Sequence, residues 1–288
     1  MGVNLRAHHW SLLEELRFAP VDRRIRCTLG GAPVCDTTDA MVVWEPRRVV
    51  PTYAVPEADL AGTLTPAEGL PVPDPLPPVL GPAGFGMHLA PGRSFDVGAG
   101  GRTAVRAAFR PEDPDLGGRV VLEWSPFDWV EEAHPVLGHP HDPFKRIDVL
   151  PSDRHVVVSF DGTVLAESGR AVALYETLLP VRWYLPREDV RMDLLTPSES
   201  RTTCAYKGHA SYFSVASGGP AGKDLAWTYV DPLHEVAGVK GLVCFWSERT
   251  DLTIDGESLA RPVTPWSRPD EQQKLLEQAE AAESLELG

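Results

Sequence analysis

The sequence predicts a mainly β protein: two tandem copies of a small antiparallel β domain, of sandwich, barrel or tent-like form, with short helices. Three observations carry that prediction. Proline makes up 28 of 288 residues, about twice ordinary usage, and at that density it interrupts helices and gathers in turns and strand edges. Two β-prone runs, Val156-Val157-Val158-Ser159-Phe160 and Thr163-Val164-Leu165-Ala166-Glu167, flank Asp161-Gly162, the pattern of a hairpin with a tight primed turn. Four blocks of the chain also recur in the same order.

Taken in order, Ser11-Leu12-Leu13-Glu14 is a capping box that opens a short helix in an N-terminal segment, residues 1–20. The first copy spans 21–151. Its block Leu29-Gly30-Gly31-Ala32-Pro33-Val34-Cys35-Asp36 lies over Phe160-Asp161-Gly162-Thr163-Val164-Leu165-Ala166-Glu167. Val43-Trp44-Glu45 then lies over Leu174-Tyr175-Glu176, and Val55-Pro56-Glu57-Ala58-Asp59-Leu60 over Leu185-Pro186-Arg187-Glu188-Asp189-Val190. The fourth block sets Leu122-Glu123-Trp124-Ser125-Pro126-Phe127-Asp128 over Leu225-Ala226-Trp227-Thr228-Tyr229-Val230-Asp231, which makes Trp124 and Trp227 core counterparts. Seven prolines between Pro66 and Pro82 mark residues 64–84 as an extended, mobile loop. The first copy is therefore the degenerate one.

The second copy spans 152–266, with strands expected at 171–176, 181–185, 201–206, 211–215, 225–230 and 242–247. Asp255-Gly256 marks its last hairpin. One short helix is expected between Asp231 as cap, with Pro232 at the first helical position, and Gly241 at the exit. Residues 267–288, rich in Glu, Gln and Ala, read as a helical or disordered tail.

Charge excludes some functions. Lys and Arg total 27 against 41 Asp and Glu, a net charge of −14. No basic face for nucleic acid or for an anionic membrane is expected from that balance. No apolar run approaches the roughly 18 residues of a transmembrane helix, and residues 1–10 lack the apolar core of a signal peptide. Four cysteines do not make a disulfide framework in a chain of this size. A soluble, cytoplasmic protein is expected.

Longer motifs in the second half carry a family resemblance. They are Tyr184-Leu185-Pro186-Arg187-Glu188-Asp189-Val190-Arg191-Met192-Asp193-Leu194-Leu195, Cys204-Ala205-Tyr206-Lys207-Gly208-His209-Ala210-Ser211-Tyr212 and Ala226-Trp227-Thr228-Tyr229-Val230-Asp231-Pro232. In these the chain resembles the bacterial family called domain of unknown function 427, also catalogued under a nucleotidyltransferase-like label. The resemblance implies a tandem architecture over residues 20–266, joined through His139-Pro140-His141-Asp142-Pro143-Phe144. The label is not supported by the residues. A nucleotidyltransferase needs acidic groups that hold metal against a triphosphate. Gly98-Ala99-Gly100-Gly101-Arg102 completes no GxGxxG pattern and follows no clear strand, and Asp113-Pro114-Asp115 reads as a turn.

The candidate chemistry centres on Lys207. A hairpin turn at Lys207-Gly208 would set its ammonium beside Cys204 and Tyr206, where it lowers a thiol pKa or binds an anion. Because an exposed turn lysine rarely supports stability, its loss is expected to leave folding nearly intact while abolishing anion binding; the competing reading is a buried structural cysteine and an idle turn lysine. Glu176, Arg182, Asp189, Arg191 and Asp193 form a charged string, in which Arg191 and Asp193 share strand parity; the competing reading is a structural ion-pair network. Trp183, Tyr184, Tyr212, Trp227 and Tyr229 supply aromatic walls, or simply core. The catalytic candidates are thus Lys207, Cys204 and Asp193. The ligand-binding candidates are Arg191, Tyr206, Tyr212, Trp227, Tyr184 and Glu176.

His134, His139, His141 and Asp142 have a metal-like composition, but their order fits no ligand pattern, so neither a metal nor a cofactor is expected. A two-residue turn at Gly30-Gly31 pairs Cys27 with Val34 and puts Cys35 on the other face, against a disulfide. The expected function is a small-molecule site for an anionic ligand, in the second copy or between the copies, with a non-catalytic protein-interaction module as the alternative. A homo-oligomer is compatible with the sequence, which names no reaction.

Overall fold

In the computed structural model, which describes residues 2–81 and 84–267, the chain divides between Pro143 and Phe144 into two units. Asn4 caps the short helix α1 (Leu5–Ser11) through its side chain, so the helix ends where the Ser11 capping box was expected to begin one. Leu12–Glu14 is a single 3-10 turn.

The strands of the first unit are β1 (Arg17–Val21), β2 (Ile25–Leu29), β3 (Ala32–Thr37), β4 (Ala40–Trp44), β5 (Thr52–Pro56), β6 (Thr63–Ala67), β7 (Gly92–Ala99), β8 (Arg102–Pro111), β9 (Arg119–Leu122), β10 (Asp128–Glu131) and β11 (His134–Pro135). They form a seven-stranded sheet, β1-β4-β5-β9-β8-β7-β6, and a four-stranded sheet, β11-β10-β2-β3.

The second unit has β12 (Ile147–Pro151), β13 (Val156–Phe160), β14 (Thr163–Ser168), β15 (Val172–Glu176), β16 (Arg182–Leu185), β17 (Leu195–Cys204), β18 (Gly208–Val215), β19 (Ala226–Tyr229), β20 (Val243–Phe245), β21 (Asp251–Ile254) and β22 (Glu257–Leu259). Its sheets run β12-β15-β16-β20-β19-β18-β17 and β14-β13-β21-β22. Adding eleven to each strand number of the first unit reproduces the topology of the second. The fold is mainly β and antiparallel, in two similar halves.

Burial follows the pleat. Strand β13 alternates buried Val156, Val158 and Phe160 with half-buried residues. That row joins Trp183, Leu185, Phe213, Val243 and Phe245 in a core shared by the two sheets of the unit. The other face of the large sheet carries Leu174, Tyr184, Tyr212, Trp227, Tyr229 and Cys244, with Val236 and Val239 packed over it. Trp183 is therefore core between the sheets. The two hairpin turns read from Asp-Gly are present, with positive φ at Asp161, Gly162, Asp255 and Gly256.

Several expectations are corrected. The division lies at Pro143/Phe144, ahead of Ser152, because β12 pairs with β15, Ile147 opposite Glu176. Likewise β1 pairs with β4, so residues 17–20 belong to the first sheet. Three repeat blocks coincide with equivalent strands, but the fourth does not. Val120 pairs with Val55 as Val243 pairs with Leu185, so β9 corresponds to β20 and Phe109, opposite Val121, is the counterpart of Trp227, opposite Cys244. Gly100 and Gly101 do follow a strand, β7, and turn it into β8.

A bulge between Cys27 and Thr28 shifts the register, so Cys27 pairs with Cys35; both are free, buried thiols. The expected helix after Asp231 is a 3-10 segment, His234–Val239, kinked at Val236. The proline-rich loop is anchored. Arg47 donates to the Leu76 and Pro77 carbonyls, and Arg48 to those of Gly81, Gly84 and Met87. The expected C-terminal tail lies outside the described residues beyond Ser267.

Candidate functional site

The outer face of the second unit's large sheet gathers most of the predicted site. Cys204, the last residue of β17, pairs with Gly208, the first of β18, across a three-residue turn. Gly208 sits at φ +85°, where only glycine is unstrained. The turn carries Lys207 inward. Its ammonium lies 2.6 Å from the Glu176 carboxylate at the end of β15, and the two side chains are only 13% and 6% exposed. Lys207 is thus no exposed turn lysine, and its removal is expected to disturb folding. Tyr206 is buried in the same turn.

Glu176 has a second cation that the sequence reading missed. Lys145 Nζ lies 3.3 Å from its other oxygen, at 20% side-chain exposure. The basic pair Lys145-Arg146 just ahead of β12 was the available signal. Burial works against charge on Glu176, but Lys207 and then Lys145 outweigh it and hold its pKa below the usual carboxylate range. Burial likewise opposes the charge on Lys207, and Glu176 followed by Cys204 raises its pKa above the ordinary lysine value. Two ammonium groups against one carboxylate leave one excess positive charge.

Aromatic groups floor this face. Trp227 Nε1 donates to the Tyr184 hydroxyl at 3.1 Å, with the rings edge to face. Tyr212 and Thr202 share a hydrogen bond of 2.8 Å. Burial drives the phenol pKa values of Tyr184, Tyr212 and Tyr229 upward, so all three remain neutral. They present hydrogen-bonding hydroxyls, not bases.

The charged string splits apart. Arg191 precedes a 3-10 turn, Met192–Leu194, and Asp193 lies within it instead of in a strand, so strand parity does not apply to them. Both are exposed and bind each other at 2.7–2.9 Å. Neither belongs to the site. Asp189 accepts from Arg170 and Ser168. Arg182 is buried on Glu248, at 2.6 and 2.7 Å, beneath Trp227 and Trp246. Among the described residues no three His, Cys, Asp or Glu side chains are placed to hold a metal ion. His141 turns its Nδ1 onto Glu131 at 3.0 Å.

Most of β12, strands β13 to β21, the Lys207 turn and the aromatic floor lie in one segment that a family model covers. Residues 148–256 match the family model Domain of unknown function (DUF427). The match lies wholly within the second unit and runs from its edge strand to the Asp255-Gly256 turn. The DUF427 segment thus holds Glu176, Cys204 and Lys207, while Lys145 precedes it by three residues. No curated protein matches the chain.

Proposed function

We propose that the second unit binds a small anionic ligand at the Lys145–Glu176–Lys207 cluster, beside the Cys204 thiol and the Tyr212 hydroxyl. The observation that carries this reading is the charge count: two buried or half-buried ammonium groups share one carboxylate in a protein of net charge −14. An isolated excess charge of that sign is costly out of water and is relieved by an anion. Cys204 is only half-buried and lies beside Lys207. The role read here is binding, and the reading includes the first unit as a diverged tandem copy of the same domain. Facing cysteines that remain free thiols favour a reducing, cytoplasmic setting.

Calorimetric titration with inorganic phosphate and pyrophosphate tests the proposal. Lys145→Gln keeps Glu176 paired with Lys207, so the variant should fold and bind the better of the two anions about tenfold or more weakly, the loss of one charged hydrogen bond. Wild-type protein that binds neither anion, or a Lys145→Gln variant of unchanged affinity, refutes it.

A further inference from the structure

The first unit has its own buried carboxylate at the position of Glu176, and beside it a cleft of about 550 Å³. Leu70, His88, Arg93, Phe95, Phe109 and Arg110 are among its lining residues. We propose that this cleft binds a small oxyanion, a carboxylate or phosphate ester, carried on a flat apolar body.

His88 is the centre of the argument. Its side chain is 5% exposed, and Nδ1 lies 2.9 Å from Glu45. The ring stacks on Phe109 at 3.8 Å and meets Phe85 edge-on at 4.9 Å. Nε2, on the opposite edge from Nδ1, is buried without a hydrogen-bond partner. Buried polar nitrogens are nearly always satisfied, and one that is not needs an explanation. With Nδ1–H donated to the Glu45 carboxylate, Nε2 carries a hydrogen only in the imidazolium form, and an anionic ligand oxygen that accepts it supplies the missing partner.

The other groups at the cleft suit an anion. Arg93 is exposed and makes no ion pair among the described residues. Arg110 is held by Glu57 at 2.6 and 2.7 Å and lies over the Phe95 ring at 4.6 Å. Its Nε is also buried without a partner. Arg93 and Arg110 line the cleft, and Glu57 answers only Arg110, which leaves the Arg93 charge open to a ligand. The walls explain the apolar body. Phe95, Phe109 and Leu70 are large and apolar, and at Gly92 a β-carbon would collide with the Phe109 ring and the Arg110 carbonyl, so the backbone itself forms the wall there.

The test follows the ring nitrogens of His88 by NMR in the whole chain, titrated with benzoate and, separately, with phenyl phosphate. At least one probe should shift Nε2 of His88, and which one identifies the head group. Arg93→Gln, a change at an exposed side chain, should weaken that probe about tenfold. Arg191→Ala, a change at an exposed side chain of the other unit, should leave the His88 response unchanged. If neither probe moves Nε2, or Arg93→Gln binds as tightly as wild type, the site is not there.

Discussion

Glu45 and Glu176 occupy the same place in two copies of one topology, each just past or at the end of the second strand of a seven-stranded sheet, yet they are neutralised from different directions. Glu45, 2% exposed in its side chain, meets His88 and, at 3.6 Å, the Arg48 Nε. Arg48 comes from the β4–β5 connection and His88 from the long β6–β7 connection. Glu176, 6% exposed, meets Lys207 from a three-residue hairpin turn and Lys145 from the approach to β12. The cover differs in the same way. In the first unit the β6–β7 connection folds back through the Arg47 and Arg48 bonds, and Phe85 packs over Val43, Ala54, Phe109 and Val121. In the second the β17–β18 turn is short and the β19–β20 connection supplies Val236 and Val239. A fixed topology sets where the carboxylate is buried, and the loops decide which cation answers it.

The largest effect that would break this comparison lies at Arg182 and Glu248, a buried pair that the first unit lacks. By register, Arg182 corresponds to Thr52 and Glu248 to Ser125. The pair is 6% and 1% exposed, and Thr264 donates to the same carboxylate. Glu248→Ala strands a guanidinium in the interior, a loss expected at about 3–5 kcal/mol. Urea unfolding measures the loss, and hydrogen exchange should assign it to residues 144–267. A loss below about 1 kcal/mol, or one spread over both units, would show that the pair is solvated or the units are not independent.

The second contrast is acid sensitivity in the first unit. Burial opposes charge on Glu131, but His141 and Tyr53 outweigh it and hold its pKa down to about 2. A folded-state pKa below the unfolded value means stability is present above about pH 4.5 and is lost as the pH falls toward about 2. A depression of this kind corresponds to no more than a few kcal/mol once solvent screening is counted. Unfolding free energy of the first unit, followed by hydrogen exchange across that window, should fall by this order, and Glu131→Gln should flatten the fall. A wild-type profile as flat as the variant's would remove Glu131 from the account.

The sheet was readable where chemistry is local. Asp161-Gly162 and Asp255-Gly256 state their turns outright, and three repeat blocks fall on equivalent strands because the same burial pattern recurs in each. What failed needed register or distance. A single bulged residue at Cys27/Thr28 brings Cys35 opposite Cys27, and no residue type announces it. Lys145 reaches Glu176 only because β12 pairs with β15, and His88 meets Glu45 across 43 residues of chain. Lys207 was identified from its turn, but burial, a property of the whole face, reversed its expected role in folding. Arg191 and Asp193 fall out of place because a 3-10 turn does not keep the two-residue period of a strand.

That misplacement supplies the smallest expected effect and the sharpest control. Arg191 donates to Asp193 from both Nε and Nη2, at 2.9 and 2.7 Å, which lowers the Asp193 pKa and raises that of Arg191. The side chains are 58% and 61% exposed, so water and salt screen the pair and its two-residue separation costs no fold. Arg191→Ala should therefore leave the melting temperature and the phosphate or pyrophosphate affinity where wild type has them. Lys145→Gln, three residues outside the matched segment, should weaken that affinity. The two substitutions each remove one positive charge from the same unit, so a general charge effect would weaken both alike. Only a local site at Glu176 separates them, and a loss of affinity in Arg191→Ala equal to that in Lys145→Gln would return the binding to the overall field of the protein.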